Sequence, residues 1–183
     1  MKLLITGGTG FVGQHLVSQL TRRELFHKLA VRSQVENPSN PKFICVGDIN
    51  AHTPWAQALE GVTDVVHLAA RVHITQETSS DAYAAFRAVN TEGTLHLARQ
   101  AAAAGVRRFV FLSSIKVNGE GSPQAYLETD TPAPEDAYAA SKWEAEQGLW
   151  KISADTGMQM VILRIPLVYG PGVGANFRQL LHT

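Results

Sequence analysis

The chain has 183 residues, 45% of them hydrophobic and 17% charged, which suits one sizeable core and is too little for two domains of ordinary size. That composition excludes a disordered chain and fits a soluble globular domain. Sixteen basic residues balance sixteen acidic ones, so no basic stripe suggests nucleic acid and no cationic amphipathic helix suggests a membrane surface.

Short β-rich runs alternate with helical patterns along the whole chain. Residues 2–6 read as a buried strand. The apolar run breaks at Thr6-Gly7-Gly8, too early for a secretory signal or for a membrane helix of about 20 apolar residues. A glycine loop follows, then a helix over 11–22 and a second strand over 28–32. The third strand, 42–46, holds the single cysteine. Cys45 lies in the apolar run Phe43-Ile44-Cys45-Val46 and is expected to pack in the core. One cysteine forms no internal disulfide, so a cytoplasmic location is expected. A fourth strand covers 64–68. The Ala-rich, proline-free segment 81–104 reads as a long helix that Gly105 ends. Residues 107–113 form a fifth strand, 137–156 a helix closed by Gly157, and 158–163 a sixth strand. A turn-rich stretch from Arg164 to Pro171 leads to a helical fragment over 176–181. Near-continuous apolar strands separated by helices indicate an α/β domain, a doubly wound parallel sheet with helices on both faces. Residues 1–170 are expected to be the nucleotide-binding domain. Residues 171–183 are expected to begin a substrate-binding region that is otherwise missing.

The segment Gly7-Gly8-Thr9-Gly10-Phe11-Val12-Gly13 follows a strand and opens a helix. In the dinucleotide fingerprint one glycine permits the turn, another lets the backbone approach a pyrophosphate, and a third lets helix pack on strand. Exposed N–H groups from Gly10 to Gly13 and the positive helix end then hold the phosphates. At the end of the second strand an acidic residue would bind the adenosine ribose. Arg32 stands there, and its guanidinium suits a 2′-phosphate, which favours NADP(H) while leaving NAD possible. Asp48 and Ile49, after the third strand, are placed near the adenine. Leu68, Ala69 and Ala70 are small or slim residues suited to a backbone passing beside the cofactor, and His67 is expected to be structural.

Tyr138 and Lys142 lie four residues apart, on one face of a helix. A phenol with a pKa near 10 is a poor base, and a neighbouring ammonium favours the phenolate. Tyr138 is therefore a candidate proton acceptor from a substrate hydroxyl. Ser114, at the end of the fifth strand, is a candidate hydrogen-bond partner for the substrate oxygen, with Ser113 on the nicotinamide side. The chemistry calls for no metal.

Taken together, Thr6 to Gly13, Asp48-Ile49, His67 to Ala70, Asn90-Thr91-Glu92-Gly93-Thr94, Ser113-Ser114, Tyr138 to Lys142, and Arg164 through Tyr169-Gly170-Pro171 resemble the extended short-chain dehydrogenases/reductases of the nucleotide-sugar epimerase, dehydratase and reductase group. The resemblance implies Ser114, Tyr138 and Lys142 as the catalytic set. It places Lys142 on the nicotinamide ribose, Ile165 beside the cofactor and Asn90 as an orienting residue. Family dehydratases carry Thr-Asp-Glu where this chain has Ser114-Ile115-Lys116, so dehydration is not expected. A 4-keto reductase using NADPH is favoured over a 4-epimerase, because of Arg32. Lys116 and His73 are further candidate substrate contacts. The alternatives are a reductase of a hydrophobic ketone or a non-catalytic NADP-binding module. A homodimer through the helices beginning at Asp81 and Ala137 is also expected.

Overall fold

The computed structural model describes residues 2–33, 42–72, 81–122 and 124–173, so His73 and the helical fragment expected over 176–181 lie outside the described residues. Six parallel strands are present among them: β1 Leu3–Thr6, β2 His27–Val31, β3 Phe43–Cys45, β4 Asp64–His67, β5 Arg108–Ser114 and β6 Gln159–Ile165. Their order is β3-β2-β1-β4-β5-β6. The chain thus winds outward from β1 in one direction, returns, and winds the other way from β4. In such a doubly wound sheet the carboxyl ends of β1 and β4 diverge into a crevice where ligands bind.

β1 shows why the strands read as continuous apolar runs. Leu3 and Ile5 point to one face and pack with Leu20 and Leu29 under α1, Phe11–Arg22. Leu4 points the other way, into a larger core with Val65, Phe109, Phe111, Leu97 and Leu149. That second face is covered by α4, Thr94–Ala103, and α5, Ala137–Thr156. Complete burial of such a side chain contributes roughly 1.5–3 kcal/mol, so Leu3, Leu4 and Ile5 leave no room for a polar residue; Thr6, at the end of β1, is buried but hydrogen-bonded.

The other helices are a short α2, Ala56–Leu59, and α3, Ala82–Phe86. α3 runs into α4 through a π-helical segment, Arg87–Gly93, within the stretch expected as one regular helix. The wider turn brings Asn90, Thr91 and Gly93 onto a single buried seam. Asp81 caps α3 by accepting from the Ala84 amide at 2.9 Å, and Asp136 caps α5 by accepting from the Ala139 amide at 2.6 Å. Gly105 and Gly157, expected as helix stops, have φ of +78° and +75°. Among the described residues no helix is long and apolar enough to cross a membrane.

One expectation about the core is overturned. Cys45 is exposed, not buried. It ends a three-residue strand at the edge of the sheet, where its apolar neighbours pack inward without it, and its thiol lies 3.5 Å from the Arg32 carbonyl.

Candidate active site

A cleft of about 860 Å³ opens at the carboxyl edge of the sheet. One wall is the glycine turn, with Gly7, Gly10, Phe11, Val12 and Gly13 among its lining residues. Leu68, Ala69 and Ala70 after β4 form another part, and Ser113, Ser114, Tyr138, Lys142 and Ile165 lie opposite.

Gly7, Gly10 and Gly13 of the turn differ in what surrounds them. Gly7 has φ +68°, and a Cβ there would sit 2.6 Å from the Ala69 amide nitrogen. It lets the turn run against the chain leaving β4. At Gly13 a Cβ would lie 2.1 Å from the Gly7 carbonyl oxygen, so this glycine sets the approach of α1 to the turn. A Cβ at Gly10 would meet only the Gly7 carbonyl, at 3.3 Å, and otherwise enters open space in the cleft. Gly10 is also the N-cap of α1, has no side chain to cap the helix, and no acidic residue lies in the first turn. The Gly10 amide itself donates to the Gly7 carbonyl at 3.0 Å, while the amides of the first turn beyond it have no cap from this residue, and the helix end is positive. A dinucleotide pyrophosphate fits this cradle in shape and in charge.

Behind the turn, His67 ties three elements together. Its Nδ1 lies 2.6 Å from the Thr6 hydroxyl and its Nε2 2.9 Å from the Thr94 hydroxyl. Burial first, and then the charge of Lys142, press its pKa down to about 3, so the ring is neutral. The Thr6 hydroxyl also accepts from the Ala69 amide at 3.2 Å, fixing the small residues beside the turn. Asn90 continues this bracing. Its side chain accepts from the Arg71 amide at 2.8 Å, and donates to the Arg71 carbonyl and to the Ser141 hydroxyl, both at 3.0 Å. Thr91 donates to the Ser141 carbonyl at 2.8 Å. The strand end after β4 is in this way held to the first turns of α5, which carry Tyr138 and Lys142.

Lys142 is 2% exposed, and its ammonium nitrogen stands 4.2 Å above the centre of the Phe111 ring. Burial lowers its pKa from 10.5 to about 7, with the nearby Glu146 carboxylate acting in the opposite direction. Tyr138 is partly buried, edge-on to Phe86 with ring centres 6.0 Å apart. Burial raises the Tyr138 phenol above its ordinary value of 10; the Ser114 hydroxyl opposes that, Asp136 adds to it, and Lys116 opposes it. The ammonium of Lys116 is held by Glu120 at 2.7 Å and by Asp136 at 2.8 Å, which raises its own pKa.

Lys142 has a consequence for stability. Between about pH 7 and 10.5 the unfolded chain holds a proton on this residue that the fold does not hold. Stability contributed by this site therefore rises with pH across that window. Lys142→Met should flatten the rise and make the free protein more stable at pH 7. Chemical denaturation at a series of pH values reads this directly; an unchanged slope would mean that the lysine is not desolvated.

Not every expected residue meets the cleft. Arg32 lines it, but its guanidinium is paired with Asp48 at 2.9 Å, both side chains being well exposed. Ile49 does not line the cleft; it lies under Gly93, where a Cβ would be 2.7 Å from its Cγ2. The Ser113 hydroxyl is buried and donates to Glu146 at 2.5 Å. Glu146 belongs to none of the sequence motifs, though it stands four residues beyond Lys142 on the same helical face. Tyr126 and Glu120, which also line the cleft, had no sequence signal.

A profile described as the NAD dependent epimerase/dehydratase family matches residues 3–181. The chain belongs to this family. A UDP-glucose 4-epimerase of Vibrio cholerae is 47% identical over 182 residues, 98% of this chain and 55% of that protein. A 3-beta-hydroxysteroid dehydrogenase of Mycolicibacterium neoaurum is 31% identical over 196 residues, 100% of this chain and 51% of the relative. Among solved structures, the UDP-glucose 4-epimerase of Thermus thermophilus, in complex with NAD, superimposes with a TM-score of 0.78 at 30% identity. That match covers 95% of this chain and 58% of the other. The chain spans about half the length of the curated relatives it matches. The structure places Ser114, Tyr138 and Lys142 together in the cleft, beside a glycine cradle of the kind that the family resemblance implied.

Proposed function

We propose that this chain binds a nicotinamide dinucleotide across the cleft and supports reversible hydride transfer at a carbon of a nucleotide-diphosphate sugar. The observation that carries this reading is the convergence of Ser114, Tyr138 and Lys142 on the same cleft as the Gly10 cradle. The glycine turn would hold the pyrophosphate, Leu68 to Ala70 the adjoining backbone, and Lys142 the nicotinamide ribose. When bound, the cofactor supplies a ring that accepts and returns hydride. The protein supplies the proton transfer. Tyr138 takes the proton of the sugar hydroxyl, Ser114 holds the same oxygen, and a protonated Lys142 favours the phenolate. Burial of Tyr138 opposes ionisation, and Lys142, whose pKa in the free protein is about 7, aids it only while protonated, so oxidation of the sugar should lose that aid as pH rises above 7.

Within this reading the 4-epimerase takes first place. The likeness to the Vibrio cholerae epimerase supports it, and so does the pairing of Arg32, since the Asp48 carboxylate offsets the charge that a 2′-phosphate needs. The exposed pair is weak, worth about 0–1 kcal/mol, so a 4-keto reductase using NADPH stands as the second reading. Asp48→Asn should then raise the affinity for NADP⁺ relative to NAD⁺ by up to about fivefold, and Arg32→Asp should lower it. Calorimetric titration with both cofactors measures this; an unaltered ratio in both variants would remove the pair from cofactor selection. For the reaction itself, the test is interconversion of UDP-glucose and UDP-galactose with NAD⁺, against NADPH consumption with a 4-keto sugar nucleotide. Turnover of a hydroxysteroid in place of any sugar nucleotide would overturn the substrate class and favour the hydrophobic-ketone alternative, to which the Mycolicibacterium neoaurum relative lends support.

A further inference from the structure

Glu146 lies on α5, one helical turn beyond Lys142, and is 1% exposed. A carboxylate so deep in a protein needs several donors. It has them: Ser113 Oγ donates to Oε1 at 2.5 Å, Arg164 Nε reaches both oxygens at 3.1 Å, and Arg164 Nη2 donates to Oε2 at 2.7 Å. Arg164 Nη1 in turn donates to Asn118 Oδ1 at 3.2 Å. One carboxylate thus joins the last residues of β5, the middle of α5, the carboxyl end of β6 and the chain after β5. Those are the segments that carry Ser114, Tyr138, Lys142 and Ile165 into the cleft.

The charged and titratable groups around Lys142 narrow the role of this group. On β4, His67 is electrostatically coupled to Lys142 but is neutral. The Phe111 ring on β5 offers only its π face. Tyr138 precedes it by one turn on α5, and Arg164 on β6 is engaged by Glu146. The negative charge that acts on Lys142 is that of Glu146.

We propose that Glu146 is a positioning residue for the Tyr–Lys pair: its buried carboxylate sets a negative charge one helical turn from Lys142 and clamps the strand end bearing Ser114 to β6. The inference rests on Lys142 serving in the hydride site, and it deepens that reading by naming the group that works against the loss of the lysine's proton in a dry environment. Arg164 balances the carboxylate, and Ser113 transmits its position to Ser114.

The test follows the ¹³Cε resonance of Lys142 through a pH titration of the free protein, assigned by its loss in Lys142→Met. The parent midpoint is expected near 7. In Glu146→Gln it should fall by about one pH unit, a tenfold shift in the protonation equilibrium. In Ser113→Ala, which keeps the carboxylate and removes only the clamp, the midpoint should stay in place. An unmoved or raised midpoint in Glu146→Gln, or an equal fall in Ser113→Ala, overturns the proposal. Should Glu146→Gln fail to fold with Arg164 left unpaired, the double variant Glu146→Gln/Arg164→Met is compared with Arg164→Met alone, so that the two differ only in the carboxylate, and the same fall is expected between them. Neither cofactor nor substrate enters this titration, so a failure of the proposed reaction would be seen separately, as absent NAD⁺ binding or turnover.

Discussion

Tyr138→Phe lowers turnover of the sugar nucleotide by about 10²–10⁴-fold, the usual contribution of one positioned acid–base group, and leaves the affinity for NAD⁺ unchanged. The substitution removes only the hydroxyl. The ring keeps its edge-on contact with Phe86, and Asp136 still caps α5 through the Ala139 amide, so the helix carrying Lys142 stays in place. The remaining hydroxyl of Ser114 can hold the substrate oxygen but is far too weak an acid–base group to replace the phenol. Steady-state rates and calorimetry on the same preparations separate the two effects. A rate within reach of the parent's would assign proton transfer to another group.

Gly10→Asp abolishes cofactor binding, with an expected loss of at least about 100-fold, or 2.8 kcal/mol at 1.4 kcal/mol per tenfold, while the fold becomes slightly more stable. Gly10 has φ −76° and ψ 173°, a conformation open to any residue, and its Cβ position meets only the Gly7 carbonyl. An aspartate there would cap α1 and complement its positive end, worth roughly 0.3–1 kcal/mol. It would also set a carboxylate where the pyrophosphate belongs. Gly13→Ala behaves in the opposite sense. Its Cβ would stand 2.1 Å from the Gly7 carbonyl oxygen, so the fold itself loses about 1–3 kcal/mol or more. Thermal denaturation and NAD⁺ titration of the two variants distinguish a glycine kept for the ligand from one kept for the backbone. Equal loss of stability in both would contradict that division.

The parts of the site that were legible in the sequence are those encoded within a few residues. The glycine turn is flanked by its own strand and helix, and the four-residue spacing of Tyr138 and Lys142 fixes their common face once the segment is helical. Ser114 followed from its place at a strand end. What stayed hidden depends on register between distant segments. β2 and β3 pair Val31 with Cys45, which brings Arg32 within reach of Asp48, and nothing local announces that contact. Cys45 sits among apolar residues, yet its strand lies at the sheet's edge and is three residues long. Ser113 and Arg164 are register partners on β5 and β6, so both face Glu146. The helical period alone could have drawn attention to Glu146, but not to the arginine that makes its burial tolerable. The seam formed by Asn90, Thr91 and Gly93 was visible as a motif. Its π-helical geometry was not, because it answers to close packing against Ile49 and Ser141.

The central claim, that a dinucleotide lies between the α1 cradle and the Tyr–Lys helix, is tested most directly by locating it in solution. An amide ¹H–¹⁵N correlation spectrum of the chain, titrated with NAD⁺, should show saturable shifts at Gly10 to Gly13, at Ala69 and Ala70, and at Ser114. Shifts that leave these amides untouched, or none at all from a folded protein, would contradict the account.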